Sequence, residues 1–123
     1  MPNLTAIEIK AFVPAKDFDL SKRFYQDLGF TVAWSSDGLA YVRHGNTSFL
    51  LQEFPEGIDN FMMHLLVEDV DAWWSHVQAS GIVAKYGVVI EPISDKPWGL
   101  RDFAISDPGG VLWRVGQNIA APP

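Results

Sequence analysis

An α+β fold of two βαβββ modules, with curved sheets around a cleft, is predicted by three features of this 123-residue chain. The first is an internal repeat at an offset of 52 residues. Asp17-Phe18-Asp19 is answered by Asp69-Val70-Asp71, Gln26 by Gln78, Gly29 by Gly81 and Phe30 by Ile82. The second is order: each Asp-x-Asp follows an apolar strand-like run, and each Gly closes a helix-like stretch before another strand-like run. The third is copy number. Solenoid units need three or more copies to bury a core, so two copies point to a pair of similar modules with a cleft where they meet. The modules are placed at residues 5–54 and 61–117 of one domain spanning 1–123.

Thr5 to Val13 alternates, with Ile7, Ile9, Ala11 and Val13 on one face and Glu8, Lys10 and Phe12 on the other, which predicts the first strand. Asp17 or Asp19 caps the next helix by accepting a backbone N–H, and Leu20, Phe24 and Leu28 share one face of it. Gly29 is the left-handed stop. Strands follow at Phe30 to Trp34, Leu39 to His44 and Ser48 to Phe54, separated by the turn signals Asp37-Gly38 and Gly45-Asn46. The second half replays this order. Phe61 to Val67 is a strand, Asp69 or Asp71 caps a helix through Ser80, and Gly81 stops it. Strand signals are weak around Tyr86 to Ile93. Glu91 to Leu100, with two prolines and Trp98, is read as a long irregular loop, and Arg101 to Ser106 pairs with Val111 to Val115 around Asp107-Pro108-Gly109-Gly110.

Composition bounds the function. A chain 48% hydrophobic, 13% aromatic and 20% charged belongs to a packed globular protein. The absence of cysteine excludes disulfides, thiolate metal sites and cysteine nucleophiles. A net charge of -6 argues against nucleic acid as a partner and favours a cationic ligand through the long-range field. No apolar run approaches a membrane span and Met1-Pro2-Asn3-Leu4 begins no signal peptide, so a cytoplasmic protein without a membrane partner is expected.

A helix covers one face of each sheet, leaving the other to line the cleft. On parity, Glu8, Lys10 and Phe12 face the cleft, as do Met62, His64 and Leu66, and Leu112 and Arg114. Leu50 and Gln52 join them, although a one-residue slip would exchange these for Leu51 and Glu53. Glu8 facing Arg114 is read as a base held by a cation or as a buried ion pair shared with Lys10. His44 and His76 are expected at the surface, and Trp73 and Trp113 in the core. Trp98, in a loop, is either a binding residue or a lid folded onto its own domain.

The module pair, together with Phe24-Tyr25-x-x-Leu28-Gly29-Phe30, Val67-Glu68-Asp69-Val70-Asp71-Ala72 and Asp107-Pro108-Gly109-Gly110, resembles the vicinal-oxygen-chelate superfamily, which groups glyoxalase I, extradiol dioxygenases and the bleomycin-resistance proteins. The resemblance runs from about Ile7 to Asn118. Pro14-Ala15-Lys16-Asp17-Phe18-Asp19, Pro97-Trp98-Gly99 with Arg101-Asp102-Phe103-Ala104, and Arg114-Val115-Gly116-Gln117-Asn118 make it most similar to the bleomycin-resistance group.

The resemblance implies a homodimer, often with an exchanged N-terminal strand, that sequesters a cationic antibiotic in aromatic-lined grooves without transforming it. Trp34, His64 and Trp98 map onto the groove aromatics, and Glu8, Phe12, Gln52, Phe54 and Arg114 complete the candidate ligand-binding set. The superfamily's enzymes hold a divalent metal at positions that map to Glu8, about Gln52, Met62 and Arg114. A thioether and a guanidinium are poor or impossible ligands for such a metal, so no metal, cofactor or catalytic residue is expected. His64 is the one substitute ligand that the strand offers, and a metal-dependent lyase, isomerase or transferase is the alternative. Lys10 and Arg114 line the groove bottom, so negative charge is expected from rim residues such as Asp37, Glu53, Glu56 and Asp95.

Overall fold

Asp17 and Asp69 each start a helix, which resolves both capping choices in favour of the first Asp of each repeat. In the computed structural model, which describes residues 2–119, the Asp17 carboxylate accepts from the Leu20 amide at 3.1 Å and Asp69 from the Ala72 amide at 3.0 Å. The capped helices are α1, Phe18–Leu28, and α2, Val70–Ser80. Gly29 (φ 117) and Gly81 (φ 68) end them in the left-handed region that a side chain rarely adopts. Asp69→Ala is expected to destabilise the fold by about 1 kcal/mol, the usual worth of an N-cap, measured as a lower midpoint in urea.

The strands are β1 (Phe12–Ala15), β2 (Thr31–Ser36), β3 (Leu39–His44), β4 (Thr47–Glu53), β5 (Met62–Leu66), β6 (Ile90–Asp95), β7 (Leu100–Ser106) and β8 (Leu112–Asn118), with a short helix α3 at Ile82–Tyr86. They form two four-stranded mixed sheets of the same design, β1-β4-β3-β2 and β5-β8-β7-β6, in which the last three strands of each module pair antiparallel with one another and β1 and β5 join β4 and β8 in parallel. This is the predicted α+β arrangement. Among the described residues no helix is long and apolar enough to cross a membrane.

One core serves both modules. Val13, Phe24, Tyr25, Phe49 and Leu51 from the first half cluster with Val70, Val77, Phe103, Ile105 and Trp113 from the second. The rings of Phe49 on β4 and Trp113 on β8 lie 5.2 Å apart, so the helix-bearing faces of the two sheets meet in the interior. The opposite face of each sheet turns away from that core. Alternation along the strands follows the predicted parity: Phe49 and Leu51 are buried while Gln52 is exposed, and Leu65 is buried between exposed His64 and Leu66.

Three expected segments differ. The first strand is not Thr5 to Val13: pairing begins at Phe12, and Ile7 and Ile9, expected on the helix side, are 90% and 95% exposed. The reason lies in register. Phe12 sits opposite Leu50 in a parallel ladder and β4 starts at Thr47, so the described residues before Ile9 run past the start of the strand that β1 pairs with. A short helix, α3, follows Gly81 where no element was expected, with Gly87 as its left-handed stop, and the weak strand signal around Tyr86 to Ile93 is met only from Ile90, where β6 begins. The long loop from Glu91 to Leu100 is mostly β6, which pairs with β7 as a hairpin despite Pro92. An edge strand tolerates proline because its outer N–H needs no partner. Only residues 96–99 remain as a turn, closed by the Lys96 amide donating to the Leu100 carbonyl at 2.7 Å.

Candidate functional site

The open face of the first sheet carries an aromatic band. Phe12 on β1 is opposite Leu50 on β4, Leu50 opposite Tyr41 on β3, and Tyr41 opposite Trp34 on β2. A bulge between Val32 and Trp34 is what sets Trp34 across from Tyr41 and leaves it 53% exposed. Four consecutive apolar or aromatic side chains thus cross the whole sheet on the side away from the core. Tyr41 was not among the predicted ligand residues. Its signal was parity on β3, which puts it on the face opposite to buried Ala40 and Val42.

Glu8 lies against this face. It accepts from Ser48 Oγ at 2.5 Å and from Tyr41 OH at 3.4 Å, and it pairs with Lys10. The Lys10 hydrogen bond, then that from Ser48, holds its carboxyl below the usual glutamate value. Lys10 in turn sits 4.9 Å from the centre of the Tyr41 ring. Gln52 is exposed at the far end of β4. Phe54 lies past the end of that strand, half-buried, where its amide donates to the Ala15 carbonyl at 2.8 Å.

The open face of the second sheet is charged where the first is aromatic. The equivalent row reads His64 on β5, Arg114 on β8, Ala104 on β7 and Glu91 on β6. Arg114 reaches across small Ala104, and its Nη1 donates to Glu91 Oε2 at 3.0 Å and to the Asp102 carboxylate at 3.4 Å. Lys96 completes the cluster, 2.6 Å from Asp102 Oδ1 and 2.8 Å from Ser94 Oγ. The expected pairing of Glu8 with Arg114 is therefore replaced by two separate networks, because within one chain the two residues stand on faces that point away from a shared core. Trp98 occupies the tip of the β6–β7 hairpin and is 58% exposed.

A divalent metal does not fit the positions that the resemblance assigns to it. Arg114 offers a guanidinium that has no lone pair to donate and is already ion-paired, Met62 offers an exposed thioether, and Glu8 is engaged by three donors. His64, the substitute ligand, stands beside Arg114, on a different sheet from the one that carries Gln52 and that Glu8 lies against. Among the described residues no group of three or more His, Asp or Glu is placed to hold a metal ion.

The junction of the modules is structural. Tyr25 OH donates to Asp107 Oδ2 at 2.6 Å and accepts from Trp113 Nε1 at 2.8 Å, all buried. His44 Nδ1 and His76 Nε2, 3.2 and 2.8 Å from the carbonyls of Gly29 and Leu28, donate to the end of α1 that its own backbone leaves unpaired. The two histidines and half-buried Trp73 line a crevice of about 320 Å³ between the modules. The sequence marked both histidines only as surface residues, since their partners are carbonyls brought near by folding.

This architecture occurs in known proteins. A bleomycin resistance protein from Klebsiella pneumoniae is 27% identical over 113 residues, covering 86% of this chain and 88% of the relative. A bleomycin-binding protein solved in complex with bleomycin superposes with a TM-score of 0.79 at 22% identity, covering 92% of this chain and 99% of that one. A lactoylglutathione lyase from Agrobacterium tumefaciens superposes with a TM-score of 0.70 at 21% identity, over 94% of this chain and 96% of the other. Residues 7–115, which span most of both modules, match the Glyoxalase/Bleomycin resistance protein/Dioxygenase superfamily, and the chain belongs to that superfamily.

Proposed function

We propose that this chain is a metal-free binding protein that sequesters a bulky, partly aromatic small molecule without transforming it, with bleomycin-type antibiotics as the first candidates. The observation that carries the reading is the band of Phe12, Leu50, Tyr41 and Trp34 across the open face of the first sheet. A continuous row of apolar and aromatic side chains facing away from the core offers stacking surface to a planar ligand. The bleomycin resistance protein that it resembles and the bleomycin-bound neighbour support the choice of ligand. The net charge of -6 adds a field that attracts a cation.

The ligand groove is proposed to be completed by a second copy, with the aromatic face of one protomer opposing the charged face of its partner. Support comes from the segment before β1, where the side chains of Leu4, Ile7 and Ile9 are exposed and, among the described residues, belong to no strand. In this arrangement Trp34, His64, Trp98, Phe12, Phe54, Gln52, Glu8 and Arg114 contribute to the groove or its rim, and residues 1–123 act as one unit built of modules 5–54 and 61–117.

The test is a tryptophan-fluorescence titration with metal-free bleomycin. Saturable quenching in proportion to chain concentration is expected. Trp34→Ala should weaken binding by about tenfold, the loss of roughly 1.4 kcal/mol of stacking. A flat titration removes bleomycin as the ligand.

A further inference from the structure

Arg114 has the geometry of a recognition group rather than of a structural ion pair. It stands at the centre of the second sheet's open face, on an inner strand, between His64 and Ala104. Its Nη1 is held from two sides, by Glu91 at 3.0 Å and by Asp102 at 3.4 Å, which fixes the plane of the guanidinium. Among the described residues its Nε and Nη2 have no hydrogen-bond partner, and the side chain is partly exposed. The supporting carboxylate is built in. Asp102 lies on the open face by strand parity, yet its side chain is only 1% exposed because Lys96 and Arg114 lie over it. Gly116 leaves the room for this: a Cβ there would come 3.2 Å from Asp102 Cβ and 3.4 Å from His64 Nε2.

A guanidinium oriented in advance, with unused N–H groups on a face open to ligand, matches two coplanar oxygens better than any point charge does. The two cations of the cluster, Lys96 and Arg114, are offset by Asp102, buried beneath them, and by half-exposed Glu91, which engages only Nη1 of Arg114. We propose that Arg114 is the specificity-determining residue of this face, and that the ligand it selects carries a carboxylate, or an equivalent pair of coplanar oxygen acceptors, on an aromatic frame. The assignment rests on the reading of the open faces as ligand walls. It deepens that reading by placing an acceptor group of the ligand on the second module and its flat apolar part against the first.

The experiment compares 2-naphthoate, 2-naphthylmethanol and 2-naphthylmethylammonium by calorimetric titration of the whole protein and of Arg114→Gln and Arg114→Lys. Lys96 remains 2.6 Å from Asp102 in both variants, so the buried carboxylate keeps a partner, and thermal unfolding checks that each variant folds. For the parent, naphthoate is expected to bind about tenfold more tightly than the alcohol, the worth of one charge-assisted fork. Arg114→Gln is expected to erase that preference, and Arg114→Lys, which keeps the charge without the fork, to restore only part of it. Equal binding of all three compounds, the ammonium binding best, or a preference that survives Arg114→Gln would each overturn the assignment alone. Failure of all three to bind would overturn it together with the aromatic-wall reading.

Discussion

Tyr25→Phe is expected to lower the stability of the fold by about 3 kcal/mol, through two buried polar groups left without partners. The Tyr25 ring is fully buried and touches Phe24, Phe49 and Trp113 edge-on, contacts that phenylalanine retains. What disappears is the hydroxyl, which donates to Asp107 Oδ2 and accepts from Trp113 Nε1. Burial, followed by the Asp107 charge, pushes that hydroxyl well above the ordinary tyrosine value, so it stays a donor across the accessible pH range. The other Asp107 oxygen is held by the Gly109 and Val111 amides at 2.8 and 2.9 Å, which anchors the carboxylate where the lost hydroxyl leaves Oδ2 unpaired. The three groups come from α1, β8 and the β7–β8 turn, so their loss loosens the joint between modules as well as one turn.

Tyr86→Phe is the internal control. Its hydroxyl also donates to a carboxylate, Asp27, at 2.6 Å, but at the surface, where Lys85 remains 2.7 Å from the same oxygen. A change of less than about 1 kcal/mol is expected there. Urea unfolding of both variants decides the matter. If Tyr25→Phe loses no more stability than Tyr86→Phe, the buried junction is not what holds the modules together.

The second large effect concerns association. Replacing Ile7 and Ile9 together by Asp is expected to abolish the proposed dimer, weakening association by at least a thousandfold. Burying an isoleucine contributes roughly 2 kcal/mol, and each dimer would bury four. Neither side chain belongs to the core of its own chain, so the thermal transition of the separated protomer should survive the change. Sedimentation velocity reads the oligomeric state, and the bleomycin titration should collapse in step because the groove would lose its second wall. A parent protein that sediments as a monomer would sink this proposal, along with any groove made from two chains.

How far the site could be read in advance depended on the range of the interactions involved. Parity along β4, β5 and β8 named Leu50, Gln52, Met62, His64 and Arg114 as open-face residues, because strand alternation is set by the backbone and needs no knowledge of neighbours. The sequence reads as a long irregular loop around Trp98 where the structure has a strand and a short turn: prolines at positions 92 and 97 suppress the strand signal, and only pairing with β7 makes β6 a strand. The partners of Arg114 were out of reach. Asp102 and Glu91 lie 12 and 23 residues away in the chain and meet the guanidinium only because β6, β7 and β8 stand side by side.

By itself the sequence determined the duplicated βαβββ order, the Asp caps, the glycine stops and the division of β4, β5 and β8 into core and open positions. All of these are local, governed by backbone hydrogen bonds and side-chain period. Only the tertiary structure decided that the module junction is a filled core and that one open face is an aromatic band while the other is an ion cluster. It alone decided, too, that residues 2–8 outrun their strand partner. Those outcomes depend on register and on which strands become neighbours, and cross-strand contacts are made between residues whose spacing in the chain carries no mark of it.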